Sequence, residues 1–499
     1  MKATPIVAYI LIGFAATIGQ ILALRELLTI FSGSELSVAV VLAAWLFWTA
    51  IGGFLGGKVT QRYAHPQTLF VWLQTLSGFI LIATILLIRA ARLFVQLGAG
   101  ELMTLDHILL ISFLTLAPFC LISGSLFSLA CSILAEVIPA WTRSPGLIYF
   151  LEGLGAGIGG LLFTFVLIHY LNAVQIAITI AWLLCICGLS LTMQAHRLRR
   201  FQFGLFASIV LALIAVQLQS NNLDRVSREW NWSGFELIDS QETIFGHIVV
   251  VAKKDQLSFF ENGLWNFSVP DRLSAEGAVH YALLQHPQPQ SVLLIGGGVS
   301  GSLHQLLAHP SIKRVEYVEL DPELIQLGEI HLPQEVVVSL QDPHVLVRHE
   351  DGRRYLSHAP HLYDVILVNL PEPFNAQVNR FYTKEFFHLA AGKMRDSGVL
   401  FFRASAAETA LGPTQAKYLK LLYQTATSVF PSVVVFPGDS ARFFCSNSPE
   451  LLTRNPEILV ERLRQRRLDL LYVQDHYMLW DLSLFRQETF MAMIQQADE

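Results

Sequence analysis

Up to Gln219 the chain is a succession of long apolar runs with few charges, and after it no run is long enough to cross a bilayer. The runs predict seven membrane segments, at 6–30, 34–57, 67–90, 107–135, 147–169, 172–193 and 203–219, the last near the lower limit for a span. The first is too long for a signal peptide, and further spans follow it without a convincing cleavage site, so it is expected in the mature protein. The period then changes. FELIDS, GHIVVVA, LSFFENG and LWNFSV, between Phe235 and Val269, read as short strands, with Asn262-Gly263 as a hairpin turn. Ala275 to His286 has helical spacing. Strands at 291–295, 314–319, 344–348, 363–368, 398–403 and 431–436 then alternate with helices at 300–308, 322–329, 383–394 and 414–428. That alternation predicts a mostly parallel sheet covered on both faces. The expected division is a transmembrane helical domain over 1–220, a small antiparallel β subdomain over 221–270, an α/β domain of Rossmann type over 271–450 and a helical tail over 451–499.

Within the apolar part, Gly52 and Gly56, Gly53 and Gly57, Gly153 and Gly157, and Gly155 and Gly159 stand four apart, a spacing that lets neighbouring helices approach closely. Arg25 and Glu26 near the end of the first segment, and Glu152 in the fifth, have two readings: a transport or substrate-access role, or snorkelling and ion pairing. An inside amino terminus places Lys2, Lys58, Arg62, Arg143, Arg197, Arg199 and Arg200 in cytoplasmic segments. Seven crossings would carry the rest of the chain outside. Six crossings, with 203–219 lying at the interface, keep it in the cytoplasm, and this arrangement is favoured, in a bacterial inner membrane.

Hydrophobic residues make up 53% of the chain and charged residues 15%, an imbalance that the apolar part explains. Residues 1–219 hold 10 Lys+Arg against 6 Asp+Glu, net +4, leaving 24 against 33, net −9, for the remainder. An acidic remainder argues against nucleic-acid binding and suits a cationic small molecule. Four of the five cysteines fall in predicted spans, leaving Cys445, and the 16 histidines show no HExxH spacing, so no metal is expected.

A parallel sheet of this kind binds ligands beyond the carboxyl ends of its strands, and the candidate motifs fall there. Gly296, Gly298 and Gly301 satisfy GxGxxG between a strand and a helix; alone, that pattern fits any tight strand-to-helix turn. Glu319 ends the next strand, where a carboxylate can accept both ribose hydroxyls of NAD or of an S-adenosyl cofactor; the alternative is that Glu319 and Asp321 are only polar residues leaving a strand. Asp351-Gly352 follows the third strand, where a carboxylate can accept an adenine amino group. The fourth strand opens into Asn369-Leu-Pro-Glu-Pro373.

Together LLIGGGVSGSLHQLLAHPSIKRVEYVELDPELI, EDGRRYL and YDVILVNLPEPFNAQVNRFYTKEFF resemble the spermidine synthase family of polyamine aminopropyltransferases, over roughly residues 236–440. The preceding apolar segments resemble its membrane-fused members. The resemblance implies a methyltransferase-like α/β domain that binds decarboxylated S-adenosylmethionine, or S-adenosylmethionine, and passes an aminopropyl group to an amine or polyamine. It places Gly296, Gly298 and Gly301 beside the adenosyl group, Glu319 on the ribose, Asp351 and Gly352 at the adenine, and Glu276 and Tyr382 at the substrate. The chain departs from the pattern at the amine end. Val299 stands where the family's glycine loop carries Asp, Asn369 where it carries the catalytic Asp, Ser274 and Ala275 where it carries Tyr-His, and Asn266 where it carries Gln. Asn369 has no proton-accepting side chain at physiological pH. Glu372, three residues on, is a candidate replacement base or a turn residue between two prolines.

Two main readings follow: a membrane-bound aminopropyltransferase with an altered acceptor, or a non-catalytic nucleoside- or polyamine-binding domain coupled to a membrane transport or sensing module. An NAD-dependent oxidoreductase rests on GxGxxG alone. The lipid bilayer, a small amine and a second copy of the chain, as a homodimer, are the expected partners; nucleic acid is not.

Overall fold

The computed structural model describes residues 3–63, 65–95, 97–98, 100–137, 144–194, 200–407 and 410–496. Lys2, Arg143, Arg197 and Arg199, which carry part of the orientation argument, lie outside these residues. The chain folds into two units, Met1–Lys253 with Phe260–Trp265, and Lys254–Phe259 with Asn266–Glu499.

Among the described residues of the first unit six helices are long and apolar enough to cross a membrane: Thr4–Ile30, Glu35–Thr60, Pro66–Val95, Leu105–Ala135, Pro145–Tyr170 and Ala173–Gln194. Gln202–Leu218 and Ser220–Trp232 form a pair bent by 64°, a seventh span if the two count as one. The glycine spacing resolves into rows that touch and rows that do not. A Cβ on Gly52 would lie 2.3 Å from the Leu121 carbonyl oxygen, and one on Gly155 would lie 1.9 Å from that of Ile10. Gly57, Gly153 and Gly157 have nothing within 4 Å. Ser125 and Ser128 donate to the Gly52 and Gly53 carbonyls at 2.9 and 2.7 Å, polar contacts that suit helices packed without water.

The charges near the end of the first helix are paired. Arg25 meets Glu242 at 2.8 Å, and the fully buried Arg89 joins Glu26 at 2.6 Å to Asp224 at 2.9 Å. Arg228 joins Asp224 at 2.9 Å to Glu242 at 3.0 Å. A buried guanidinium is tolerable only with such partners, so ion pairing describes Arg25 and Glu26 here.

The small antiparallel sheet holds β1 (Glu236–Glu242), β2 (His247–Lys253), β3 (Gln256–Glu261) and β4 (Leu264–Val269) in that order. Asn262 and Gly263, at φ of 51° and 79°, make its left-handed turn.

The second unit is built on a seven-stranded sheet of β5 (Ser291–Ile295), β6 (Arg314–Glu319), β7 (Val345–His349), β8 (Tyr363–Val368), β9 (Met394–Ser405), β10 (Ser432–Phe436) and β11 (Ser440–Ser446), ordered β10-β11-β9-β8-β5-β6-β7. β5 to β9 pair in parallel. β11 lies antiparallel between β9 and β10. The result is a Rossmann-type α/β fold with an antiparallel edge. Its core includes fully buried Phe386, Phe387, Phe402 and Phe443, the last two stacked at 4.7 Å. Each such ring contributes about 1.5–3 kcal/mol by leaving water. Chain order reverses at β5, flanked by β8 and β6, so a crevice is expected beyond its carboxyl end.

Candidate active site

The carboxyl ends of β5, β6, β7 and β8 bring the glycine loop, Glu319, Asp351 and Asn369 to one sheet edge. Backbone hydrogen bonds knit the loop starts together: Gly296 N–H to Val318 O at 3.0 Å, Asn369 N–H to Ile295 O at 2.9 Å and Glu350 N–H to Glu319 O at 3.2 Å. Gly296 and Gly301 take φ of 72° and 97°, conformations that suit glycine. Gly298 is needed for another reason: a Cβ there would lie 2.5 Å from the Tyr317 ring. That ring's hydroxyl donates to Glu319 Oε2 at 2.8 Å, and the Leu320 N–H donates to Oε1 at 2.9 Å. Burial pushes the Glu319 carboxyl up to about 7, because the charged form loses water that the Tyr317 hydroxyl and the Leu320 and Asp321 backbone N–H groups only partly replace. A carboxylate poised between its two states at a sheet edge is a common mark of a ligand site.

Asp351 caps the helix Gly352–His358 through the Arg354 N–H at 2.8 Å, and its other oxygen pairs with Arg380. A Cβ on Gly352 would lie 2.5 Å from Ile295 Cγ2, so the helix start sits directly on the end of β5.

The other end of the edge is arranged differently. Asn369 Nδ2 donates to Ser302 Oγ at 2.9 Å, while its Oδ1 accepts from Arg403 at 2.9 Å. Val299 is fully buried beside Gly328, facing the core. Glu276 has no exposure, and its carboxylate accepts the N–H groups of Leu471 at 3.0 Å, Tyr472 at 2.8 Å and Val473 at 3.0 Å, with Arg272 Nε 3.4 Å away. The segment after the helix Pro456–Arg466 thus occupies it. Glu372 Oε1 accepts the Ser405 N–H at 2.6 Å. Tyr382 is buried, edge-on to Phe402 at 5.6 Å.

Sequence reasoning missed Arg403, Ser302 and the tail segment. A cation inside the apolar strand LFFRAS is the signal that could have singled out Arg403. The partners of Glu276 lie 195 to 197 residues away, so no local pattern marks them.

Residues 273–439 match the spermine/spermidine synthase domain. A polyamine aminopropyltransferase from Leptospira interrogans is 30% identical over 201 residues, 40% of this chain and 40% of that protein. One from Oceanobacillus iheyensis is 27% identical over 276 residues, 54% of each. The chain thus spans about half or less of the length of these two relatives. A crystal structure of spermidine synthase in complex with the transition state analogue AdoDATO covers 52% of this chain and 88% of that one, at 20% identity and a TM-score of 0.45.

Proposed function

We propose, from the match of residues 273–439 to the spermine/spermidine synthase domain, that the chain is a membrane-bound transferase moving an aminopropyl or related group from an S-adenosyl donor to an amine. The observation that carries this reading is the convergence of the glycine loop, Glu319, Asp351 and Asn369 at one sheet edge. Glu319 would accept the ribose hydroxyls, Asp351 would face the adenine, and Gly296, Gly298 and Gly301 would let the backbone approach the nucleoside. The acceptor nitrogen attacks the carbon bonded to the sulfonium. The C–S bond breaks with its electron pair passing to sulfur, leaving a neutral thioether nucleoside, and the nitrogen gives up one proton. Glu372 is the candidate to take that proton, since Asn369 offers no base. The six apolar helices support attachment to a bacterial cell membrane, with an even number of crossings keeping the sheet unit in the cytoplasm alongside its nucleotide-like donor.

A second reading has its own support. Asn369 and Glu276, the residues matched to the family's amine machinery, are both engaged within the protein, which favours a binding module. The test is the full chain in detergent, with S-adenosylmethionine, its decarboxylated form and NAD titrated by calorimetry and turnover assayed on a panel of amines. Turnover supports the transferase. Nucleoside binding without turnover on any acceptor supports the module, and NAD binding alone overturns both.

A further inference from the structure

At the end of the site beside Asn369 the fixed charge is positive. The register of β9 and β11 sets Arg403 directly opposite Arg442 on one face, a like-charged cross-strand pair that is unfavourable unless something offsets it. Arg442 lies over the Tyr281 ring at 4.5 Å and donates to the Pro437 carbonyl at 3.1 Å. Arg403 has two acceptors, Asn369 Oδ1 at 2.9 Å and the Ser274 carbonyl at 3.5 Å, both neutral. Among the described residues no carboxylate forms an ion pair with either guanidinium. Burial and the neighbouring Arg442 together bring Arg403 down to about 10, against the opposing pull of Tyr382, Asp271 and Glu372.

The nearby carboxylates are directed elsewhere. Asp271 caps a helix through the Ser274 N–H at 3.0 Å, Glu372 takes the Ser405 N–H at 2.6 Å, and Glu276 holds three backbone N–H groups of the tail. The Tyr418 hydroxyl, which feels the charge of Glu372, is buried without a partner. An ammonium brought beside Asn369 would meet the Arg403 guanidinium, and Glu372, the candidate base, already takes the Ser405 N–H through one oxygen. A carboxylate would find an arginine with donors to spare in a fork that fits it.

We propose that this end of the site binds a carboxylate, so that the reacting pair includes a carboxylate-bearing molecule in place of a decarboxylated donor with a simple diamine. The carboxylate belongs either to the methionine-derived tail of an intact S-adenosylmethionine donor or to an amino-acid acceptor. The proposal rests on the nucleoside-binding reading above.

The experiment uses the full chain in detergent with two matched pairs: S-adenosylmethionine against its decarboxylated form, and ornithine against putrescine in the presence of 5′-methylthioadenosine. Binding of 5′-methylthioadenosine, which lacks the tail, reports an intact nucleoside site. The expected result is at least about a tenfold preference for the carboxylate-bearing member of one pair, the scale of one charged contact. That preference falls to within about twofold in Arg403→Gln and is partly kept in Arg403→Lys, while 5′-methylthioadenosine binds both variants as it binds the parent. Preference in the first pair places the carboxylate on the donor, and preference in the second places it on the acceptor. Tighter binding of the decarboxylated donor with putrescine, or a preference untouched by Arg403→Gln, overturns the proposal and leaves the transferase reading standing. If none of the nucleosides binds the parent chain, both fall together.

Discussion

The two ends of the candidate site share one sheet edge but differ in what their polar atoms still offer a ligand. At the proposed nucleoside end Glu319 is buried beside the Tyr317, Leu320 and Asp321 donors, its carboxyl raised to about 7, and it gains from further hydroxyl donors. At the proposed acceptor end both polar side-chain atoms of Glu276 and of Asn369 already have partners within the protein, Glu372 has one on a single oxygen, and Arg403 is a cation with donors to spare. One end of a sheet edge can thus leave its polar atoms open to a ligand while the other turns most of its own inward. A sheet makes this easy, because each strand end contributes its own loop and the loops change independently.

The largest test of the contrast concerns Glu276. If its carboxylate serves the fold, Glu276→Ala takes the acceptor from three N–H groups, that of buried Val473 among them, and lowers stability by about 3 kcal/mol, read by thermal unfolding of the detergent-solubilised chain, with no amine needed to see it. A variant as stable as the parent that has lost affinity for an amine would return Glu276 to the acceptor site and erase the difference between the two ends.

How much of this was legible depends on distance along the chain. β5, β6 and β8 fall over the residues expected of them, because short runs rich in valine, leucine, isoleucine and tyrosine suit a buried parallel sheet even where Glu316 and Asp364 interrupt two of them. β11 was not visible: Ser440–Ser446 follows a turn directly after β10, and its insertion between β9 and β10 is settled by pairing, not by composition. The same holds at the site. Glycines, Glu319 and Asp351 announce themselves by position after a strand, whereas Arg403 matters only once the register sets it against Arg442 and Asn369.

A smaller effect probes the nucleoside end. Glu319→Ala weakens nucleoside binding by about 1–3 kcal/mol, the scale of lost hydrogen bonds to a charged group, measured by calorimetry. The pH profile adds a sign. Two ribose hydroxyls both donate most readily to the ionised carboxylate, which is depleted as pH falls through about 7. Affinity is therefore flat above pH 8 and drops toward pH 6. Glu319→Gln, which cannot titrate, flattens that slope. A parent chain with no slope between pH 6 and pH 8 would mean that the ligand does not contact Glu319.

The smallest expected change is the one that the family comparison alone would make large. Restoring an acid with Asn369→Asp puts a carboxylate where Arg403 already donates at 2.9 Å. The new group pairs with that guanidinium, which holds its pKa down and leaves it a poor base. Aminopropyl transfer from decarboxylated S-adenosylmethionine to putrescine should then rise by less than about threefold in the single variant, under about 0.7 kcal/mol of barrier. Adding Arg403→Gln frees the carboxylate and removes the repulsion toward a diamine, so the double variant should exceed the sum of the singles. Coupling of that sign is expected when two residues share one contact, and its absence would show that the barrier to diamine chemistry lies away from this pair. A large gain from Asn369→Asp alone would show instead that the acceptor end is a diamine site lacking only its base.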